Sequence, residues 1–226
     1  MKLGKEAMEK LRAEITGKLS AGDELVVIGA VALRGTRLIA EREYAFLRNY
    51  FSKGFLFHCR ILEEEYGIQE TPANREGTAD MESISLLALK AGASALYIMG
   101  EGGVLSALWK MAEASQVGLA ADLRRIPIRQ ETIEICEHFD LNPYYLRSEG
   151  ALLAGVPRSD ALVRELERIG VPWAVIGRTN HENSRILYSG VNVRYLDRPA
   201  ADEIYKMKWY APQNGISSQL EEIWQN

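Results

Sequence analysis

The run Leu25-Val26-Val27-Ile28-Gly29-Ala30-Val31 constrains this chain most. Side chains of a strand alternate between its two faces, so a strand with one wet face needs a polar residue at every second position. None occurs between 25 and 31, and β-branched residues dominate. The run therefore predicts a central strand covered on both faces. Ser94-Ala-Leu-Tyr-Ile-Met99 predicts a second buried strand and Leu152–Val156 a third. The longest apolar runs, Leu25–Ala32 and Ala151–Val156, fall far short of the roughly 20 residues a membrane-crossing helix needs.

Helical periodicity fills the intervals. Leu3, Ala7, Met8, Leu11 and Ile15 recur at three- and four-residue steps and predict a helix over 3–19, broken by Ala21-Gly22-Asp23. After Arg34-Gly35-Thr36 one helix is expected to about Phe51 and another from Leu56 to Tyr66, separated by Ser52-Lys53-Gly54. Gly67–Gly77, with Thr71-Pro72-Ala73-Asn74, reads as the main loop of the first half. Thr78 can cap a helix to Ala91 that carries Asp80 and Glu82 in its first turn and Ile84, Leu87 and Leu89 inward. Gly100-Glu101-Gly102-Gly103 then turns the second strand directly into a helix over Val104–Ser115.

Leu119–Asp122 and Arg125–Ile128 read as short extended pieces, the second kept at an edge or strand end by Pro127. Gln130–Phe139 reads as a helix closed by Asn142-Pro143. The last third predicts β-α-β-β-β: Leu152–Val156, a Ser159-capped helix over Asp160–Ile169, Trp173–Ile176, and strands near Ile186 and over Val191–Tyr195 joined through Ser189-Gly190. Asp202–Met207 suggests a further turn and Ser217–Trp224 a short helix. With no repeat or linker-like tract, the expected organisation is an N-terminal helix segment (1–22), one compact domain (23–207) and a tail (208–226).

A chain of 226 residues, 47% hydrophobic and 26% charged, excludes disorder and collagen-like architectures. Its 27 basic and 31 acidic residues lie without a basic block, which argues against general nucleic-acid or membrane-surface binding. Cys59 and Cys136, with no CxxC, make neither a disulfide framework nor a zinc site; with no signal-like stretch in Met1–Lys18, they place the chain in the cytoplasm. The glycine turn is the most suggestive chemistry. Backbone N–H groups of Gly102, Gly103 and Val104 open a helix after a strand and form a candidate anion site, against the plainer reading of a packing turn. The turn is neither GxGxxG nor GxxxxGK[ST], and Glu101 adds negative charge. His58, His138 and His181 form no ligand pair with a neighbour, and Glu63-Glu64-Glu65 reads as a solvated helix end. The residues themselves therefore name no catalytic group, metal set or cofactor.

Four stretches together resemble a known family. Glu101-Gly-Gly-Val-Leu-Ser-Ala-Leu-Trp-Lys-Met-Ala-Glu-Ala-Ser-Gln-Val-Gly118 is similar to the glycine turn and helix of the C-terminal domain in the AIR synthase superfamily. Ile126-Pro-Ile-Arg129, Cys136-Glu-His-Phe-Asp-Leu-Asn-Pro-Tyr144 and Ser148-Glu-Gly-Ala-Leu-Leu-Ala-Gly-Val-Pro157 follow in the order of its hydrogenase expression/formation (carbamoyl dehydratase) branch. Val26–Thr36 resembles the opening strand and turn, so the likeness covers about residues 23–207.

That resemblance implies an α+β, three-layer domain: a mixed β-sheet with packed helices, partly ferredoxin-like. Fold alone does not fix activity. The family's N-terminal ATP-binding domain, with clustered aspartates for magnesium, has no counterpart expected in the 22 residues before the domain. Its cyanide-forming branch uses a C-terminal cysteine, whereas this sequence reads Glu222-Ile-Trp-Gln-Asn226 there, and Ile98-Met99-Gly100 stands where Asp-Pro-Thr is usual. Two functions are expected from it: a non-catalytic binding or assembly module, or half of an ATP-dependent enzyme completed by a separate nucleotide-binding chain. A homodimer is expected through the apolar ends, Leu3, Met8, Leu11 and Ile15 with Trp209, Tyr210, Leu220, Ile223 and Trp224, with docking within one chain as the competing arrangement.

Overall fold

The computed structural model describes residues 3–69 and 80–209. From the N-terminus, helix α1 (Lys5–Ala13) leads to a two-residue strand β1 (Thr16–Gly17) and strand β2 (Glu24–Ile28). Helices α2 (Leu33–Arg42), α3 (Tyr44–Leu47), α4 (Lys53–Tyr66) and α5 (Met81–Lys90) precede β3 (Ala95–Ile98), α6 (Gly103–Ser115) and β4 (Gly118–Asp122). Then come α7 (Gln130–His138), β5 (Leu152–Val156), α8 (Asp160–Arg168), β6 (Trp173–Asn180), β7 (Arg185–Ser189) and β8 (Asn192–Tyr195). Short 3₁₀ turns occupy Leu123–Arg125, Pro143–Tyr145 and Glu203–Lys206.

The strands form one sheet in the order β1-β3-β5-β2-β6-β4-β7-β8. Every pairing is antiparallel except β4 with β7, so the sheet is mixed as expected. The apolar run does take a central place: Val26 lies opposite Ala154 of β5 on one side and Val175 of β6 on the other. On one face Leu25, Val27, Leu153, Leu119 and Leu187 pack against Leu105, Leu108 and Met111 of α6 and Leu11 of α1. On the other, Val26, Ile28, Leu96, Leu152 and Ala154 meet Met81, Ile84 and Ala88 of α5 and Leu162 and Leu166 of α8. Helices, sheet and helices make the expected three layers. Beside them stands a helical lobe, in which Ile39, Leu47, Leu56, Cys59, Ile135 and Cys136 form a separate apolar core. The Thr36 hydroxyl, 2.9 Å from that of Thr132, ties α2 to α7 inside it.

Several expected boundaries move, each for a local reason. The first helix ends at Ala13 rather than 19, because Thr16 and Gly17 pair with Leu96 and Ala95 and Gly17 takes φ 77°, which a helix cannot hold. The helix expected to run to Phe51 breaks at Glu43 into α2 and α3. Leu89 points outward, 41% exposed, because Ile84, Leu87, Ala88 and Ala91 share the inner face and residue 89 lies on the opposite one. Asp80 caps α5, accepting the Ser83 N–H at 2.9 Å. Ser159 starts α8 without a side-chain cap, its N–H donating instead to Glu24 at 2.9 Å. Strand β6 continues four residues past Ile176, through a bulge opposite Leu25 and Val26. Glu63 is not a solvated carboxylate: Arg34 and Arg37 of α2 hold it at 3.1 and 3.2 Å. Residues 70–77 of the expected loop, Thr78 and Ser217–Trp224 lie outside the described residues.

Gly177, beside the bulge, shows how closely β4 and β6 approach. A Cβ there would fall against the carbonyl oxygen of Ala120 and 2.7 Å from the Cα of Ala121, and backbone cannot swing aside. Gly177→Ala is therefore expected to destabilise the domain by about 1–3 kcal/mol, read as a lower urea midpoint. Gly170→Ala, at φ 71° with open space around it, serves as the reference and should cost about 1–2 kcal/mol through backbone strain alone.

Candidate functional site

The C-terminal ends of β2 and β3 and the start of β5 open at one end of the sheet. There the Met99 N–H donates to Ala151 O at 2.9 Å and the chain turns through Gly100–Gly103 into α6. Gly102 and Gly103 both adopt positive φ, 79° and 62°. A Cβ on Gly103 would sit 2.6 Å from the carbonyl oxygens of Tyr144 and Leu146, so only glycine lets segment 144–148 lie this close. Ser148 fastens that segment. Its N–H donates to Gly100 O at 3.0 Å, its hydroxyl donates to Leu146 O at 2.9 Å, and its oxygen accepts the Ala32 N–H at 2.8 Å where α2 begins. One buried serine thus holds the starts of α2 and α6 against a shared segment.

The N-terminus of α6 has an anionic partner from within the chain. The Gly102 N–H donates to Oδ2 of Asp202 at 2.7 Å, and the Ile204 N–H donates to Oδ1 at 2.9 Å. The backbone N–H of Arg147 is a third donor to the same carboxylate. Asp202 is buried, and burial pushes its carboxyl up to about 6 despite those three donors and the Arg147 guanidinium, which pull the other way. Of the three residues expected to cradle an anion, Gly102 holds this carboxylate, while the Gly103 N–H donates to Gly100 O at 3.2 Å. Glu101 is exposed and accepts a hydrogen bond from the Tyr205 hydroxyl.

Paired charges continue the rim. Arg147 Nε donates to Glu149 at 3.0 Å, and the next residue, Gly150, accepts the Ile68 N–H at 2.9 Å. Gln69 then reaches the Glu63 carbonyl at 3.1 Å, and Glu63 holds Arg34 and Arg37. Beyond Tyr66, whose ring lies 4.0 Å under the Arg129 guanidinium, Arg129 pairs with Glu131 at 3.6 Å. Such half-exposed pairs contribute at most about 1 kcal/mol each, and their main effect is to fix where the guanidinium forks stand.

No nucleophile–base pair or acid–base dyad forms among these groups. Among the described residues no three His, Cys, Asp or Glu side chains come together as a metal set. Cys59 and Cys136 are buried free thiols, each pushed up to about 12 chiefly by burial, which leaves them protonated and unreactive. His58 and His181 are exposed, and His138 is ringed by aromatic side chains. The apolar N-terminal residues are taken up within the chain: Leu11 and Ile15 are buried, with Leu3 and Met8 packed on the same core. Trp209 packs on the helical lobe, and Tyr210, Leu220, Ile223 and Trp224 lie outside the described residues.

Residues 57–189, more than half of the chain, match the family described as AIR synthase related protein, C-terminal domain. The chain belongs to this family. Among curated relatives, a putative hydrogenase expression/formation protein of Methanocaldococcus jannaschii is 27% identical over 191 residues, covering 81% of this chain and 50% of that protein. Among solved structures, HypE in its complex with HypF superposes with a TM-score of 0.59 at 19% identity, over 80% of this chain and 54% of that one. The hydrogenase maturation protein HypE in complex with ATP gives 0.60 at 17% identity, over 83% and 53%. The likeness to these structures establishes the shared fold, and the chain spans about half the length of each of these relatives. The family's glycine turn, recognised from Glu101–Gly118, is the point at which Asp202 is bound.

Asp202 gives the site a measurable pH signature. Its raised pKa means the folded domain keeps a proton that the unfolded chain releases near 3.8, so this group's stabilising contribution is full below pH 3.8 and is lost as pH rises through about 6. Asp202→Asn removes that titration. Urea unfolding of both proteins from pH 4 to 7 should show the wild type losing up to about 3 kcal/mol relative to the variant, almost all of it below pH 7. Parallel stability curves would remove the assignment.

Proposed function

We propose that this chain is a hydrogenase-maturation-type member of the AIR synthase related family that serves as a binding or assembly module and carries no complete catalytic centre of its own. The observation behind this reading is the closed glycine turn: the helix start at which an anion was expected already holds the carboxylate of Asp202. The guanidinium groups of Arg34, Arg37, Arg129 and Arg147 each stand against a carboxylate, an arrangement that suits recognition of a folded partner surface more than capture of a free polyanion. The HypE–HypF complex supports a protein partner for this chain, and two buried reduced cysteines suit the cytoplasm.

A second reading keeps one specific support. HypE has been solved with ATP, and this chain corresponds to about half of it, so the chain can be one half of an ATP-dependent enzyme whose nucleotide-binding half is another polypeptide. A homodimer also belongs to the proposal. With Leu3, Met8, Leu11 and Ile15 already packed in their own core, its contacts would rest on other surfaces.

Calorimetric titration of the purified chain with magnesium-ATP decides between the readings. The module reading expects no micromolar binding by the chain alone and none after adding candidate partner chains that bind no nucleotide themselves. Micromolar binding by the isolated chain overturns it, and nucleotide binding that appears only in a stoichiometric mixture with a second chain establishes the half-enzyme. Sedimentation velocity at micromolar concentration tests the homodimer, which a single 25.3 kDa species would remove.

A further inference from the structure

The sheet ends in an open edge. Strand β8 is last in the strand order, and none of Asn192–Tyr195 is buried. The β7–β8 register fixes which of its backbone groups look outward. Ser189 lies opposite Asn192 across a two-residue turn, and the Leu196 N–H donates to Arg185 O at 2.8 Å. Opposed residues of antiparallel strands alternate between bonded and unbonded pairs. Asn192 and Arg194 therefore bond to β7, while the N–H and C=O of Val193 and Tyr195 point away from the sheet. Folded chains blunt such an edge with Lys, Pro, inward charge or a bulge. Residues 186–196 hold no Lys, Pro, Asp or Glu, and the β7–β8 register runs without a shift. The opposite edge, β1, is two residues long, one of them glycine.

The side chains beside the β8 edge are apolar. Tyr188 stands opposite Val193 and Ile186 opposite Tyr195, on the face away from buried Leu187. Val193 is 61% and Tyr195 71% exposed, because the helices of this face, α5 and α8, cover β2, β3 and β5 and stop short of β7 and β8. What completes a row of outward N–H and C=O groups is a further strand. We propose that it is β8 of a second copy, antiparallel about a two-fold axis through Val193. This rests on the homodimer reading above and gives it a surface. The register follows from charge and length. With Val193 opposite its counterpart, Val191 meets Tyr195 and Asn192 meets Arg194, so Arg194 faces an amide rather than a cation. Outward groups stay paired only if the pairing shifts by two residues. One such shift sets the two copies of Arg194 against each other, which repels, and the other carries Tyr195 beyond the hairpin turn. In the remaining register Tyr188, Val193 and their two counterparts form one apolar row across both copies, the self-complementarity that a two-fold contact requires.

Sedimentation velocity of the full chain and of Val193→Pro tests this. Proline removes the outward N–H at 193 and takes no bond from β7. The wild type should dimerise reversibly at micromolar concentration, and the variant's dissociation constant should rise about tenfold or more. Amide exchange resolved to single residues gives a readout on the wild type, independent of how the variant folds. Val193 and Tyr195 should gain protection as concentration rises through the dimer transition, while Asn192 and Arg194 stay protected throughout. A dimer that Val193→Pro leaves at the same strength, or whose formation leaves 193 and 195 exchanging freely, overturns this contact and keeps the homodimer. Protection of 193 and 195 that does not vary with concentration assigns the edge to the same chain and overturns it too. A single 25.3 kDa species at micromolar concentration removes the homodimer itself, and this contact with it.

Discussion

Everything in this domain is arranged around a strand that cannot face water on either side. Leu25, Val26, Val27 and Ile28 are completely buried, with β5 and β6 satisfying the backbone of β2 from both edges. Burying one such side chain is worth roughly 1.5–3 kcal/mol, but only if a helix layer covers each face. Helices α6 and α1 cover one and α5 and α8 the other. The connections that carry the chain between these layers must then meet at the ends of β2, β3 and β5, and the glycine turn, segment 144–150 and the start of α2 converge there.

At that convergence the chain satisfies its own helix terminus. A helix N-terminus leaves N–H groups without partners, and here a buried carboxylate takes one of them together with two donors from elsewhere. Two effects oppose each other at Asp202. Burial favours the protonated form and three N–H donors favour the ionised one; the carboxyl is displaced upward, so burial is the larger. The group therefore carries a cost above about pH 6 that an exposed capping aspartate would not, and it persists because it joins residues 102, 147 and 204 into one structure.

What the sequence made legible follows the range of the forces involved. β2, β3 and β5 are readable because a short continuous apolar run is a local signal, and the β7–β8 hairpin because Ser189-Gly190 sets its turn, with Gly190 at φ 64°. The glycine turn is readable as a turn and as a family feature. Its occupant is not: Asp202 stands 100 residues from Gly102, in a short polar segment whose one local signal is an aspartate preceding a turn. Glu63 is hidden in the same way within Glu63-Glu64-Glu65, although Arg34 and Arg37, one helical turn apart on α2, were the available hint. The over-long first helix fails because β1 exists only through its pairing with β3, a long-range contact that no helical periodicity encodes.

Whether the glycine turn of this family member is closed by its own carboxylate decides how the site is understood. The direct measurement is an NMR titration that follows the side-chain carboxyl carbon of Asp202 together with the amide signals of Gly102 and Ile204, repeated with millimolar inorganic phosphate. The account predicts one inflection near pH 6 shared by all three signals, and no change on adding phosphate at neutral pH. An Asp202 inflection near pH 4 that the Gly102 amide does not share, or phosphate-dependent shifts of Gly102, Gly103 and Val104 at neutral pH, would contradict it.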